Sequence, residues 1–225
     1  MKKQPKSSFL CRHSLAWLFT FAITLGAVPA TAHAQPAPAR KSHKPRVLIV
    51  SDSVFAMLGV ADKALAELNK TVPVIFGGQP CQKLLVSGCM PEVKLSAMAH
   101  FRAERGKFTD AIVVATGYNE THSDALLEAL TAFRKEAKKQ HVKLIWATYR
   151  VAGNVVEKST NFNRQLRAAA AKDKTLALFD WNSIAAKKPS WFSGDKIHLS
   201  RGGAVQLARR LGKFLKSTLD SPANG

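Results

Sequence analysis

The sequence predicts an α/β domain built on a parallel sheet of about five strands with helices covering it. Short apolar runs alternate with helical periodicities along the chain, which is the pattern of strand–helix–strand units. The best of these runs, Val47–Val50, is continuously branched and apolar, as a strand buried on both faces is. The size agrees: 225 residues, 46% hydrophobic and 22% charged, suit one ordinary globular domain with a leader.

Val47-Leu48-Ile49-Val50 hands over through Ser51-Asp52-Ser53 to a helical pattern with Val54, Leu58, Ala61, Leu65 and Leu68 on one face. Ser53 therefore sits at a strand-to-helix junction. It reads either as a helix cap or as a nucleophile beside an anion-stabilising helix start. Thr71–Phe76 is a second strand, ended by Gly77-Gly78-Gln79-Pro80 and a loop through Cys81 and Cys89 to Pro91. A helix is expected over Val93–Arg105. Ala111–Ala115 is the third strand, running into Thr116-Gly117-Tyr118-Asn119-Glu120. Ser123 is the expected cap of the next helix, with Leu126, Leu127, Leu130, Phe133 and Ala137 inward. Its basic tail, Arg134, Lys135, Lys138 and Lys139, reads as a solvated helix end that complements the dipole. Val142–Thr148 is a fourth strand, Tyr149–Ser159 a loop, and Thr160 the start of a helix with Phe162, Leu166 and Ala169. Leu176–Phe179 is the fifth strand, closed by Asp180-Trp181-Asn182. The loop Pro189–Leu199 follows, and Ser200 caps a last helix with Ala204, Leu207, Leu211 and Phe214 or Leu215 inward. No internal repeat or second domain is visible.

Residues 1–34 read as a secretory signal peptide. Lys2, Lys3, Lys6 and Arg12 precede an uncharged apolar stretch, Leu15–Val28, and Ala32-His33-Ala34 supplies the cleavage pattern before Gln35. A membrane anchor is the competing reading; the apolar stretch is short for one. Residues 35–45 are a Pro-, Ala- and Lys-rich flexible lead-in, and the domain is expected over 46–220. Export to the periplasm or beyond is therefore expected. The net charge of +19 falls to +15 once the leader, with four basic and no acidic residues, is removed. Such a charge favours anionic partners. Nucleic acid is set aside, because export and the absence of a binding motif both argue against it. In an oxidising compartment Cys81 and Cys89 are expected to close as a disulfide; free thiols or a metal site are the alternatives, and no His or further Cys lies close by as a ligand.

Ser53, Gly77-Gly78, Gly117-x-Asn119 and Asp195-x-x-His198 fall at strand ends or in the final loop, where open α/β sheets bind ligands. Acyl transfer by serine needs such parts: a base for the hydroxyl proton, a carboxylate to orient the base, and donors for the oxyanion. Ser193-x-x-Lys196 fits another serine motif but lies in a loop, and no Gly-x-Ser-x-Gly, phosphate loop or His-Glu-x-x-His occurs. His122, close after Asn119, is the rival base.

With these blocks in order over residues 46–216, the chain resembles the SGNH (GDSL) hydrolases. Ser51-Asp52-Ser53 stands where the family has Gly-Asp-Ser, Gly117-Tyr118-Asn119 matches Gly-x-Asn, and Asp195-Lys196-Ile197-His198 matches Asp-x-x-His. The resemblance implies a three-layer α/β/α fold with a flavodoxin-like sheet, and Ser53, His198 and Asp195 as nucleophile, base and orienter. The N–H groups of Ser53 and Gly78 (or Gly77) and the Asn119 amide would form the oxyanion hole, with no cofactor or metal. Arg150 and Trp191 are candidate substrate-binding residues. Asp180-Trp181 and the cysteine-bearing loop look like exported members and like SGNH domains attached to membrane acyltransferases. That implies ester chemistry, mostly acetyl, on an anionic cell-surface polysaccharide, by a monomer or by a partner of a membrane acyltransferase. The alternative is an inactive relative that binds anionic glycan.

Overall fold

The computed structural model describes residues 46–221. The leader expected over 1–34 and the lead-in at 35–45 lie outside them. The elements are β1 (Val47–Ser51), α1 (Ser53–Val60), α2 (Ala64–Asn69), β2 (Val74–Gly78), α3 (Ala97–Ala103), β3 (Ala111–Ala115), α4 (Ala125–Gln140), β4 (Lys143–Ala147), α5 (Val156–Lys172), β5 (Leu176–Phe179), α6 (Trp181–Ala185) and α7 (Arg201–Asp220). Single 3-10 turns at Gly153–Val155 and Pro189–Trp191 precede α5 and α7.

All strand pairs are parallel, in the order β2-β1-β3-β4-β5. This is the flavodoxin-like sheet the resemblance implied. β1 lies between β2 and β3, so the strand order reverses direction beside it. The end of β1 is thus the switch point where such sheets bind ligands. Successive β1 side chains serve opposite layers. Val47 and Ile49 pack with α1, α2 and α7, whereas Leu48 and Val50 pack with α3, α4 and α5. All five β1 residues are buried, which is why that run carries no alternation.

β3, β5 and the start of α7 fall where the sequence places them. Ser200 Oγ accepts from Gly203 N at 3.0 Å, and Ala204, Leu207, Leu211 and Leu215 are fully buried. Elsewhere the structure departs from expectation. The first helical pattern is two helices broken at Ala61–Lys63; both pack on α7, so one apolar face continues across the break. β2 starts at Val74 rather than Thr71, because Pro73 has no N–H to give the ladder and its carbonyl accepts from Arg46 N. α3 starts at Ala97 under a Ser96 cap, since the Val93 carbonyl is bonded to Gly88 N in the cysteine loop. Asp124, not Ser123, precedes α4, and Leu127 is 46% exposed rather than inward. α5 begins at Val156, not Thr160, whose hydroxyl donates back to the Val156 carbonyl as an interior helical threonine does.

Candidate active site

The nucleophile corner forms where β1 ends. Asp52 is the N-cap of α1: its Oδ1 accepts from Val54 N at 3.1 Å. Its Oδ2 accepts from Gly117 N at 3.0 Å and Tyr118 N at 3.1 Å, tying the loop after β3 to the start of α1. The capping role that Ser53 offered in sequence is therefore taken by its neighbour. Ser53 becomes the first helical residue, with its hydroxyl free to face the pocket. Asp52 is fully buried, and burial pushes its carboxyl up to about 6 against the pull of these N–H bonds. Gly117 has φ +142°, and a Cβ there would lie 2.3 Å from Tyr149 Oη, so no other residue fits.

The opposite corner is the loop after α6. Phe192 and Leu199 form an antiparallel bridge at its neck, and Ser193 N donates to the His198 carbonyl at 2.7 Å. Lys196 adopts φ +65°, which turns the chain so that Asp195 Oδ1 accepts from Ile197 N at 2.9 Å and His198 N at 3.0 Å. Asp195 Oδ2 meets His198 Nδ1. Desolvation pushes the Asp195 carboxyl up, but the bonds from the His198 ring and these two N–H groups outweigh it and hold the group below its usual range. An ionised carboxylate only accepts, so the imidazole proton resides on Nδ1 and Nε2 is left as an acceptor. Ser53 Oγ lies 2.8 Å from Nε2, placed to donate to it. Residues 145 positions apart in the chain thus form a Ser–His–Asp chain.

A cavity of about 410 Å³ opens over this chain, walled by Ser53, Tyr118, Asn119, Asn154, Asp195 and His198 among others. Asn119 Nδ2 donates one hydrogen to the Gln82 carbonyl at 3.2 Å, which leaves its second for a ligand. Thr116 Oγ1 donates to that same carbonyl at 2.9 Å, so residue 82 is fixed from two sides. The Cys81–Cys89 disulfide, with Cα atoms 5.4 Å apart, closes the loop that carries Gln82. Gly78 ends β2 opposite Ser51 in the sheet and is not part of the cavity wall. A Cβ at Gly78 would come within 2.4 Å of Phe76 Cζ and 2.6 Å of Ser51 Oγ, so both side chains crowd this position.

Two candidate substrate contacts lie elsewhere. Arg150 is 6% exposed, its Nε donating to the Lys196 carbonyl at 2.7 Å and its Nη1 to the Ala185 carbonyl at 2.5 Å. Its guanidinium covers the Phe192 ring at 3.8 Å, so the group offered as an anion holder is turned into the protein. Trp191 stacks on Trp181 at 6.0 Å between ring centroids, and its carbonyl accepts from Ser200 N. It packs α6 against α7 and does not wall the cavity. His122, the rival base, is exposed and lines a neighbouring cavity with Glu157 and Arg164. Sequence reasoning missed three supports: Asp52, the Arg150 side chain, and Lys158, whose Nζ donates to the Tyr118 carbonyl at 2.9 Å and the Glu120 carbonyl at 2.7 Å. Only Asp52 left a signal, a cap-type residue immediately before a helical pattern.

No family model and no curated protein sequence matches the chain. Solved structures do. The C-terminal catalytic domain of Streptococcus pneumoniae peptidoglycan O-acetyltransferase A, with a methylsulfonyl adduct, is 19% identical with a TM-score of 0.61; the match covers 79% of this chain and 96% of that one. A GDSL-like lipase from Bacteroides thetaiotaomicron is 13% identical with a TM-score of 0.60, covering 78% and 90%. The psychrotrophic esterase EstA from Pseudoalteromonas, inhibited by monoethylphosphonate, is 14% identical with a TM-score of 0.59, covering 79% and 100%. The identities are low, but the alignments span nearly the whole of each neighbour and of the described domain. The chain has the fold of the SGNH (GDSL) hydrolases.

Proposed function

We propose that the protein is a serine esterase or acyltransferase of the SGNH type. The observation that carries this reading is the Ser53–His198–Asp195 chain, with Ser53 Oγ 2.8 Å from His198 Nε2 just past the end of β1. Ser53 Oγ attacks an ester carbonyl while His198 Nε2 takes its proton. Asp195 holds the ring and stabilises the imidazolium that forms. The Ser53 N–H and the free hydrogen of the Asn119 amide, both on the cavity wall, receive the oxyanion. His198 then returns the proton to the leaving alcohol, and the acyl group stays on Ser53. Water, or a sugar hydroxyl, resolves the acyl-enzyme by the same steps in reverse.

The finer reading is that the acyl group is small, most often acetyl, and is carried by an anionic extracytoplasmic polysaccharide. Three things support it: the modest 410 Å³ cavity, the strong positive charge of the chain, and the export expected from the leader. A similar fold serves the pneumococcal peptidoglycan O-acetyltransferase domain, so transfer between glycans is as open to this arrangement as hydrolysis. Residues 35–225 are expected to cleave p-nitrophenyl acetate without added metal, faster than longer acyl esters. They should also release or transfer acetyl on acetylated acidic glycan. A small sulfonyl fluoride or a phosphonate should label Ser53. Equal turnover by wild type and Ser53→Ala on both substrates would remove the enzyme reading. Salt-sensitive binding of acidic polysaccharide would then leave a binding module in its place.

A further inference from the structure

Arg150 is a buried cation that forms no ion pair among the described residues. A buried charge without a counter-ion is costly unless its donors are well used. Those of Arg150 go to main-chain carbonyls on two separate segments, Lys196 in the Asp195–His198 loop and Ala185 at the end of α6. Its face lies on Phe192, at the neck of the same loop. Lys196 is the left-handed residue between Asp195 and His198, so the carbonyl held by Arg150 belongs to the turn that makes those two side chains meet. The following residues also press on this turn: a Cβ on Gly153, which has φ +57°, would fall 2.6 Å from the Asp195 carbonyl. On the other side, the Arg150 N–H donates to Tyr118 Oη at 2.6 Å, beside the loop that bears Asn119. One residue therefore touches the supports of both catalytic corners.

We propose that Arg150 is a positioning residue: its guanidinium fixes the Lys196 carbonyl, and through it the turn that aims Asp195 at His198 and His198 at Ser53. This rests on the assignment of those three side chains as the reacting chain. The planar fork suits the task, because two N–H groups at a fixed angle join two carbonyls from different segments, whereas a lysine ammonium reaches one at a time. Ile197 and Leu199 anchor the loop in the core, but the Asp195 and His198 side chains are 47% and 46% accessible. Its geometry depends on a support from beneath.

The test compares wild type, Arg150→Lys and Arg150→Gln, each assayed well below its own melting temperature. On p-nitrophenyl acetate, kcat is expected to fall about 10–100-fold for Arg150→Gln and less for Arg150→Lys, with KM within about twofold. The acidic limb of the pH profile should move to lower pH, because a loosened Asp195 stabilises the imidazolium less. A second readout does not need turnover: the downfield proton resonance of His198 Nδ1–H, which reports its bond to Asp195, should weaken or move upfield in Arg150→Gln and remain in Arg150→Lys. Folded variants with wild-type kcat, pH profile and resonance overturn the inference while leaving the esterase reading intact. Wild-type protein that shows the resonance and its dependence on Arg150, yet turns over no ester, does the reverse. A loss of activity that tracks melting temperature alone, with the resonance unchanged, also overturns it.

Discussion

The two corners of the candidate site are held by opposite chemistry. At the nucleophile corner, a fully buried carboxylate, Asp52, gathers the N–H groups of Val54, Gly117 and Tyr118. At the base corner, a buried guanidinium, Arg150, gathers the carbonyls of Lys196 and Ala185. The difference follows from what each corner must present. A helix start has unpaired N–H groups, and an anion satisfies them while Ser53 stays free. A tight turn with a left-handed residue leaves carbonyls unpaired, and a cation satisfies those. The second lesson concerns exposure. The carboxylate corner is sealed in the sheet, whereas Asp195 and His198 are about half accessible, so the base loop is the part of the site that substitution should loosen most easily.

The largest effect expected is on chemistry at the meeting point of the corners. Ser53→Ala should lower kcat on p-nitrophenyl acetate by about 10⁴-fold or more, leaving the fold and the melting temperature unchanged. Asn119→Ala comes next. If its free amide hydrogen meets the oxyanion, kcat falls about 10²–10³-fold with little change in KM, because the charge it serves exists only in the transition state. Full kcat in that variant would move the oxyanion site to backbone donors alone.

Asp52 sharpens the comparison through pH. Its carboxyl titrates near 6 in the folded protein against 3.8 in a free chain, so the folded state holds the proton more tightly. The stabilisation is complete below about pH 4 and is lost as pH rises through 6, a difference of about 3 kcal/mol. Asp195, whose carboxyl is held below its usual range, contributes with the opposite sign and loses stability as pH falls. Urea unfolding between pH 4 and 7 should therefore show a difference in slope between wild type and Asp52→Asn. Parallel curves would mean that Asp52 is better solvated than its burial implies.

How much of this was legible depends on where the information sits. β3, β5 and the Ser200 cap are local signals, and the sequence placed them correctly. Ser53, Asn119, Asp195 and His198 were legible because each follows a strand or a loop of recognisable type. The break at Ala61–Lys63 was not, since both helices turn the same face to α7 and the periodicity runs through it. Arg150 was misread because an arginine at a strand end looks the same whether it faces a ligand or a carbonyl. Only the fold brings Lys196, 46 residues on, beneath it. The disulfide lies between these cases: the pair was legible, but not its link to the site through Gln82 and Asn119. Cys89→Ser should cost about 2–3 kcal/mol in the chain-entropy model for so short a loop, read as a lower melting temperature. Its effect on kcat should be smaller than that of Asn119→Ala, because Thr116 still holds the Gln82 carbonyl.

The smallest effect expected concerns Ser51, where the chain departs from the Gly-Asp-Ser pattern. Ser51 is fully buried, and its hydroxyl donates to the Asp52 carbonyl at 3.1 Å. Ser51→Gly loses that bond and gains backbone freedom in the unfolded chain, together about 1–2 kcal/mol of stability. It touches neither His198 nor the cavity wall, so kcat should stay within about twofold of wild type. Gly78→Ala is the informative partner. The added methyl meets Ser51 Oγ and the far end of the Phe76 ring, and overpacking of this kind costs about 1–3 kcal/mol. In a Ser51→Gly background one of those two clashes is gone, so the combined loss should be smaller than the sum of the single losses. Additive losses would mean that Phe76 alone makes Gly78 necessary. A fall in kcat for Ser51→Gly itself would mean that this serine, and not only the carboxylate beside it, holds the nucleophile corner in place.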